Sequence, residues 1–178
     1  MPKNSGYCNL KHILIAATGG FRFSFYVSKL WIFIKYWLPS LSWMVLIFSA
    51  SADRHSAERS FSLVGPLLRW LFPQMPQPEL DAIHHVLRKC AHLTEYAILA
   101  LLLRRTLANT GQTGGPAWSG RLTAGVLALV FLYAASDEFH QRFVPGRTSL
   151  FSDVLVDTSG GAAGLVAGWC WHRIRKPR

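Results

Sequence analysis

Four apolar stretches divide the chain of 178 residues, and each is close to the roughly 20 residues that a helix needs to cross the hydrocarbon layer of a membrane. They cover residues 30–50, 84–103, 121–140 and 151–171. The second stretch opens with several ionisable residues, and the fourth carries two aspartates near its start. The pattern predicts an all-α polytopic membrane protein, folded as a compact bundle of four transmembrane helices.

The segments around these stretches predict the domain organisation. We expect a basic extension at residues 1–29, a membrane domain at 30–172 and a basic tail at 173–178. Pro39 predicts a kink in the first span, which membrane helices tolerate where neighbours satisfy the freed carbonyl. Between the first two spans, the apolar segment FSLVGPLLRWLF is typical of a short helix that lies along the outer membrane surface.

The distribution of positive charge predicts the orientation of the chain. The net charge is +10, but Lys and Arg lie mostly at the borders of apolar stretches, which argues against a nucleic-acid partner. Cytoplasmic flanks of membrane proteins are enriched in Lys and Arg. Eleven of these residues fall on the side of the termini and five in the two opposite loops, so we expect both termini in the cytoplasm.

The sequence contains no recognisable metal or catalytic motif. Its three cysteines, Cys8, Cys90 and Cys170, lie far apart and form no CxxC or Cys/His pattern. We therefore expect no disulfide framework, no metal and no cofactor. The GxSxG and HExxH motifs are missing too, so enzymatic activity stays uncertain and is the less favoured interpretation.

The polar residues of the second, third and fourth spans all fall in the outer half of the membrane in this topology. All nine acidic residues lie there or in the outer loops. A charge at the membrane centre costs about 3 kcal/mol, so such residues normally face the bundle interior or an aqueous cavity. We therefore predict an outward-facing polar cavity, and its candidate ligand-binding residues are Arg88, Lys89, His92, Glu95, Tyr96, Asp137, Glu138, His140, Gln141, Arg147, Asp153 and Asp157.

A structural explanation of the same residues stays open at this point. In that alternative, the acids are counter-ions of nearby Arg and Lys side chains and fix the helix register without touching a ligand. The turn RFVPGR either is an ordinary surface turn or aims two guanidinium groups at a phosphate or carboxylate. Gly160, Gly164 and Gly168 form a small-residue stripe at four-residue spacing, which favours helix packing over a ligand role.

Two segments of the chain resemble the VanZ-like family of bacterial integral membrane proteins. They are RKCAHLTEYAILALLLRR in the second span and SDEFHQRFVPGRTSLFSDVLVDTSGGAAG across the third and fourth, with a looser similarity at IFSAS. The resemblance implies a compact helical domain that crosses the bacterial cytoplasmic membrane several times. It also implies a link to resistance against the glycopeptide antibiotic teicoplanin, without a settled biochemical activity.

The first hypothesis for function is a binding protein of the cell envelope. Its outer cavity binds the anionic head group of a membrane lipid or of a lipid-linked cell-wall precursor. Arg88, Lys89 and Arg147 hold the anion, while His92 and the carboxylates shape the site.

Two further hypotheses come from other functional classes. The second is an intramembrane enzyme acting on a lipid-linked substrate, with Asp137 or Glu138 as general base and His92 or His140 as general acid. A divalent metal held by the aspartates of the fourth span is an option in that case. The third is a proton or ion pathway, or a small transporter subunit, which is expected to form oligomers through the glycine stripe.

Overall fold

The computed structural model describes residues 30–52, 56–110, 118–144 and 150–175, and the side chains of residues 52, 56–61 and 63 are not described. These parts of the chain form helices and no strand, which confirms the all-α prediction. The predicted basic extension at 1–29 and the candidate residue Arg147 lie outside the described residues.

Five α-helices account for the described chain. A π-helical turn at Phe33–Trp37 leads into the first of them. The helices are α1 at Leu38–Ala52, α2 at Ser56–Leu71, α3 at Gln77–Thr110, α4 at Gly120–Gln141 and α5 at Phe151–Arg175. Helix α2 contains the segment FSLVGPLLRWLF, except for its last residue, that the sequence assigned to a short surface helix.

Helices α3, α4 and α5 form the centre of the bundle. The α3–α5 interface is the most extensive, followed by α4–α5 and α3–α4. Helix α1 packs against α3 and α4, and α2 packs against α3. The apolar core lies where these helices meet and includes Ile47, Tyr96, Leu99, Ala100, Leu103, Leu122, Val126, Val130, Ala134, Val154 and Leu165.

The glycine stripe of α5 faces α3 within the same chain. A Cβ atom added at Gly160 would lie 2.5 Å from the carbonyl oxygen of Leu93, and one at Gly164 would lie 2.7 Å from that of Ala97. Such short distances mean that the two backbones touch without side chains between them, as in other small-residue helix interfaces. Because α3 covers this face, the glycine stripe is not available for the oligomer contact that the third hypothesis expected.

Two helical segments are long and apolar enough to cross a membrane. They are Leu30–Ser51, which includes the π-helical turn and most of α1, and Gly120–Gln141, which is α4. Helices α3 and α5 have 34 and 25 residues, so their lengths of about 51 Å and 37 Å also suffice, but both carry more charge. The crossing of the membrane by α3 and α5 stays a prediction.

The π-helical turn lies directly before Pro39, where the sequence predicted a disturbed helix. The amide of Leu38 donates to the carbonyl of Phe33, five residues back, and the ring of Pro39 cannot continue regular helical hydrogen bonding. The buried hydroxyl of Thr106 on α3 donates to the Tyr36 carbonyl at 2.7 Å and lies 2.8 Å from the Ser40 hydroxyl. A neighbouring helix thus supplies a hydrogen bond to the irregular turn.

Candidate functional site

Polar side chains from α3, α4 and α5 come together inside the bundle. Asp137, Glu138 and Gln141 on α4 and Asp157 on α5 are each at most 6% exposed. Two side chains of α3, His92 and Glu95, are about one quarter exposed and lie at the rim of this group. We use the name polar cluster for His92, Glu95, Tyr96, Asp137, Glu138, Gln141 and Asp157.

Asp137 is held by donors from two directions. The hydroxyl of Ser51 on α1 donates to its Oδ2 atom at 2.7 Å, and the Nε2 group of Gln141, one turn further along α4, donates to the same oxygen at 3.0 Å. Ser51 is itself only 2% exposed. Hydrogen bonds to a buried carboxylate are among the stronger ones in proteins, so this contact fixes the end of α1 to α4.

His92 lies between two carboxylates from different helices. Its Nδ1 atom is 3.8 Å from Oε2 of Glu95 and 4.0 Å from Oδ1 of Asp157. Glu95 is on the same helix, one turn later, whereas Asp157 belongs to α5 and is buried. The imidazole therefore links the exposed rim of the polar cluster to its buried interior.

Tyr96 lies beneath this group and is completely buried. Its hydroxyl lies beside the carboxylate of Asp157, although it does not reach normal hydrogen-bond geometry with any acceptor in the described chain. The ring of Tyr133 on α4 packs against the Tyr96 ring, with their centroids 6.2 Å apart. Tyr96 therefore belongs both to the apolar core and to the polar cluster.

Helix α1 closes one side of the polar cluster through two further hydrogen bonds. The indole of Trp43 donates to the backbone carbonyl of Glu95 at 2.9 Å. The hydroxyl of Tyr133 donates to the backbone carbonyl of Met44 at 2.5 Å. Together with Ser51, these contacts hold α1 in register with α3 and α4.

The electrostatics of the polar cluster are dominated by negative charge. Asp157 experiences the fields of Glu138, Asp137 and Asp153, and Glu95 that of Asp137. Taking a carboxylate out of water costs several kcal/mol, and neighbouring carboxylates add repulsion to this cost. The arrangement therefore reduces the stability of the fold, and it provides closely spaced hydrogen-bond acceptors for a ligand.

The other predicted site residues lie around the polar cluster or outside it. Arg88 is half-buried and Lys89 is exposed, and neither forms an ion pair with any residue that the structure describes. Asp153 is half-buried, one turn before Asp157. His140 faces α1, where its ring packs on Phe48 with centroids 4.5 Å apart.

Sequence reasoning missed three residues of α1 and α4 that support the polar cluster: Ser51, Trp43 and Tyr133. The looser family similarity at IFSAS was the available signal for Ser51, since the last serine of that string is the donor to Asp137. Trp43 and Tyr133 lie in apolar spans, where an aromatic residue gives no sign that its polar atom bridges two helices.

The described residues contain no group of three or more His, Cys, Asp or Glu side chains placed to hold a metal ion. The described side chains of the polar cluster supply hydrogen-bonding carboxylates, an amide, a phenol and an imidazole. Ionised carboxylates only accept hydrogen bonds, so their natural partners are hydroxyl, amide or amino groups.

Comparison with known proteins identifies the family. A model of the VanZ/LLP1 family matches residues 33–172, which is most of the chain, and this confirms the resemblance seen in the motifs. Searches of curated proteins and of solved structures found no significant match. Family membership and the two apolar helices indicate a membrane protein of a family linked to glycopeptide resistance. The chain belongs to the VanZ/LLP1 family.

Proposed function

We propose that this chain is a multi-pass protein of the bacterial cytoplasmic membrane whose polar cluster, together with the neighbouring cations Arg88 and Lys89, binds a phosphorylated head group at the outer face. The ligand belongs to a membrane phospholipid or to a lipid-linked cell-wall precursor. Helices α1, α3, α4 and α5 cross the membrane in this proposal, with both termini in the cytoplasm. The observation that carries it is the burial of Asp137, Glu138 and Asp157 beside His92 and Glu95, which are about one quarter exposed.

The energetic cost of the polar cluster supports a functional role. Replacing buried ionic groups by well-packed apolar residues is often neutral or stabilising, so stability alone does not require several carboxylates in one place. Ionisable residues within membrane helices commonly mark binding sites or ion pathways. Neither Arg88 nor Lys89 forms an ion pair with the acids in the described chain, so the counter-ion alternative now rests on Arg142 and on Arg147, which lies outside the described residues.

Two kinds of side chain would bind different parts of the head group. At the rim, Glu95 accepts hydrogen bonds from the hydroxyl, amide or amino groups of the head group, and His92 accepts from or donates to the same groups. Arg88 precedes His92 by one turn, about 6 Å along α3, and can hold the phosphate together with Lys89. A sugar phosphate and an aminoalkyl phosphate share this chemistry, so both lipid sources fit.

Binding is tested by native mass spectrometry of the full chain purified in neutral detergent. The probes are a polyprenyl-pyrophosphate-linked cell-wall precursor, phosphatidylethanolamine and phosphatidylcholine. We expect one of the first two to bind at least tenfold better than phosphatidylcholine, and Glu95→Gln and Arg88→Gln each to reduce that binding about tenfold. The preferred probe distinguishes the two sources.

A matched control removes one arginine charge at a position away from the polar cluster. Arg69 is exposed in the last turn of α2 and hydrogen-bonds to the carbonyl of Met75, away from the polar cluster. Arg69→Gln should therefore leave head-group binding unchanged. Equal binding of all three probes, or unchanged binding in the folded Glu95→Gln and Arg88→Gln proteins, would contradict the proposal.

The topology has its own test, independent of any ligand. In a cysteine-free background, Gln74→Cys places a thiol in the exposed segment between α2 and α3, and Asn109→Cys places one at the exposed end of α3. With four spans, a membrane-impermeant maleimide labels the first in intact cells and the second only after permeabilisation. If only α1 and α4 cross the membrane, both thiols react in intact cells.

The link to resistance is tested in a susceptible bacterial host. We propose that expression of the chain raises the inhibitory concentration of teicoplanin about fourfold, and that Glu95→Gln removes the increase while the protein remains in the membrane. If the Glu95→Gln strain showed an increase of similar size, resistance would not depend on the polar cluster.

A proton pathway is the second candidate function, because His92 lies within 4.0 Å of carboxylates from two different helices. Such a relay predicts that proteoliposomes holding the chain dissipate a pH gradient, and that His92→Gln abolishes this leak. Identical decay rates in liposomes with and without the protein would remove this candidate.

A further inference from the structure

The opposite end of the bundle carries a concentrated positive charge. Here α3 ends, α4 begins and α5 ends, and the exposed or half-buried cations are Lys35, Arg104, Arg105, Arg121, Arg173 and Arg175. We use the name basic end for this set. The acidic residue of α3 closest to it is Glu95, nine residues before Arg104 and thus about 13 Å away along the helix.

The cations of the basic end are stacked on aromatic rings. The guanidinium of Arg104 lies 3.7 Å from the centre of the Trp118 ring, and that ring packs in turn on His172 of α5 at 6.0 Å. On the neighbouring side of α3, Arg105 lies 5.4 Å from the centre of the Tyr36 ring. The two adjacent arginines of α3 therefore contact rings from two other segments, the turn before α4 and the π-helical turn.

The same arrangement is repeated at the end of α5. Arg173 lies over the Trp169 ring at 4.9 Å, and Arg175 over the Trp171 ring at 4.2 Å. Each pair is formed by residues four apart, which lie above one another on a helix. The basic end thus presents at least four guanidinium groups in defined orientations.

At the exposed Arg105, Arg173 and Arg175, stacking leaves the donors of the guanidinium group available. A ring occupies one face of the planar group, whereas the N–H donors point outward in the plane, where they match the paired oxygens of a phosphate. Fixing the side chain against a ring also reduces the conformational freedom that binding would otherwise remove. The basic end therefore fits phosphate groups at a surface.

Apolar side chains between the cations indicate what the phosphate is attached to. Trp169, Trp171 and Ile174 are 43%, 58% and 79% exposed; the two tryptophans precede Arg173, and Ile174 lies between Arg173 and Arg175 in the last turns of α5. A free phosphate or a nucleic-acid backbone makes no use of an exposed isoleucine. Tryptophan is enriched where membrane head groups meet acyl chains, and arginines there attract anionic lipids.

We propose that the basic end binds anionic phospholipids of the adjoining leaflet, with the phosphate at the stacked arginines and the acyl chains beside the aromatic rings. Arg104 follows His92 by twelve residues, or about 18 Å along α3, so this surface is separate from the polar cluster. Its assignment to the cytoplasmic leaflet rests on the proposed topology, whereas its preference for an anionic lipid does not.

The test compares phosphatidylglycerol with phosphatidylcholine of the same acyl chains, added to the full chain in neutral detergent and counted as bound lipids by native mass spectrometry. We expect an excess of bound phosphatidylglycerol that declines as ammonium acetate is increased, because salt screens the attraction. Each lost cation should weaken binding roughly fivefold, so Arg104→Gln combined with Arg105→Gln should weaken it about 25-fold.

Controls separate lipid recognition from folding. Arg142→Gln removes one charge from an exposed position at the opposite end and should not change the lipid excess. The combination of Arg104→Lys and Arg105→Lys keeps the charge but not the paired donors, and should lie between wild type and the Gln variants. Helix content by circular dichroism and elution volume show whether each variant is folded.

Three results would overturn the proposal. They are equal binding of the two lipids, an unchanged excess in the folded double Gln variant, and tighter binding of a short RNA than of phosphatidylglycerol. None of them bears on the polar cluster, whose variants Glu95→Gln and Arg88→Gln lie in the other half of α3 and are measured with different probes.

Discussion

The polar cluster lies on α3, α4 and α5, and the basic end lies on the same three helices and on the π-helical turn, yet charged side chains are buried at the first and exposed at the second. Asp137 and Asp157 in the polar cluster are almost completely buried, whereas Arg105 and Arg175 at the basic end are exposed and lie over aromatic rings. Burying a charge costs several kcal/mol, but stacking an exposed cation on a ring is favourable by about 0.5 to 1 kcal/mol. The cost of desolvation is therefore concentrated at one end, which is why the specific ligand is assigned there.

The glycine contact of α3 and α5 connects the two ends, and breaking it should have the largest effect. In Gly164→Ala, the new Cβ would lie 2.7 Å from the carbonyl oxygen and 2.9 Å from the Cβ of Ala97, so the helices must move apart. We expect the free energy of unfolding to fall by about 3 kcal/mol, because overpacking of a tight interface strains backbone and side chains. Unfolding in mixed micelles with increasing dodecyl sulfate, followed by circular dichroism, measures this loss.

Gly125 on α4 provides the matched control, because a Cβ added there has nothing within 4 Å. Gly125→Ala should be neutral or stabilise the protein by up to about 1 kcal/mol through the better helix propensity of alanine. If the two substitutions had equal effects, helix propensity would explain both. The close approach of α3 and α5 would then contribute nothing to the free energy of unfolding.

The glycine stripe also shows how far the sequence predicts the fold. The spacing of Gly160, Gly164 and Gly168 predicted a close helix contact, but not that the partner is α3 of the same chain. Spacing on one helix describes a face and contains no information on which helix covers it. The start of α3 at Gln77, seven residues before the apolar stretch, was missed for a related reason: its first two turns are polar and follow turn-forming prolines.

The next largest effect should come from the hydrogen bond that closes the polar cluster from α1. Ser51→Ala removes one donor to Oδ2 of Asp137, keeps the donor from Gln141, and should lower the free energy of unfolding by about 2 kcal/mol. Ser49, two residues earlier, is exposed and bonds only to the carbonyl of Val45 in its own helix. Ser49→Ala should cost less than about 0.5 kcal/mol in the same micelle titration.

A loss of equal size in both serine variants would mean that helix α1 tolerates neither change for reasons unrelated to Asp137.

The candidate site, like the fold, was partly predictable from the sequence. Helical spacing and topology grouped the acids with His92, because charges avoid lipid and collect on inward faces. The same reasoning placed Lys89 and Arg88 inside the group, but a long side chain can reach water from a helix surface instead, and Lys89 is exposed.

A smaller effect is expected where α3 supports the π-helical turn near the basic end. Thr106→Val keeps the shape of the side chain but removes the hydroxyl that contacts the Tyr36 carbonyl and the Ser40 hydroxyl. We expect a loss of about 1.5 kcal/mol, since both groups are left without this partner. Thr94, which is exposed and bonds to the Cys90 carbonyl of its own helix, supplies the control Thr94→Val with a loss below about 0.5 kcal/mol.

The smallest effect should follow the removal of a cation from the basic end, and it tests most directly whether charge contributes differently to stability at the two ends. Arg105 is exposed, and its described side-chain interaction is with the Tyr36 ring, so Arg105→Gln should lower the free energy of unfolding by only about 0.5 kcal/mol. A double-mutant cycle with Tyr36→Leu isolates the stacking energy, and we expect a coupling of the same size. A loss matching that of Ser51→Ala would show that the basic end also contributes to the fold, and charge at the two ends would no longer be treated differently.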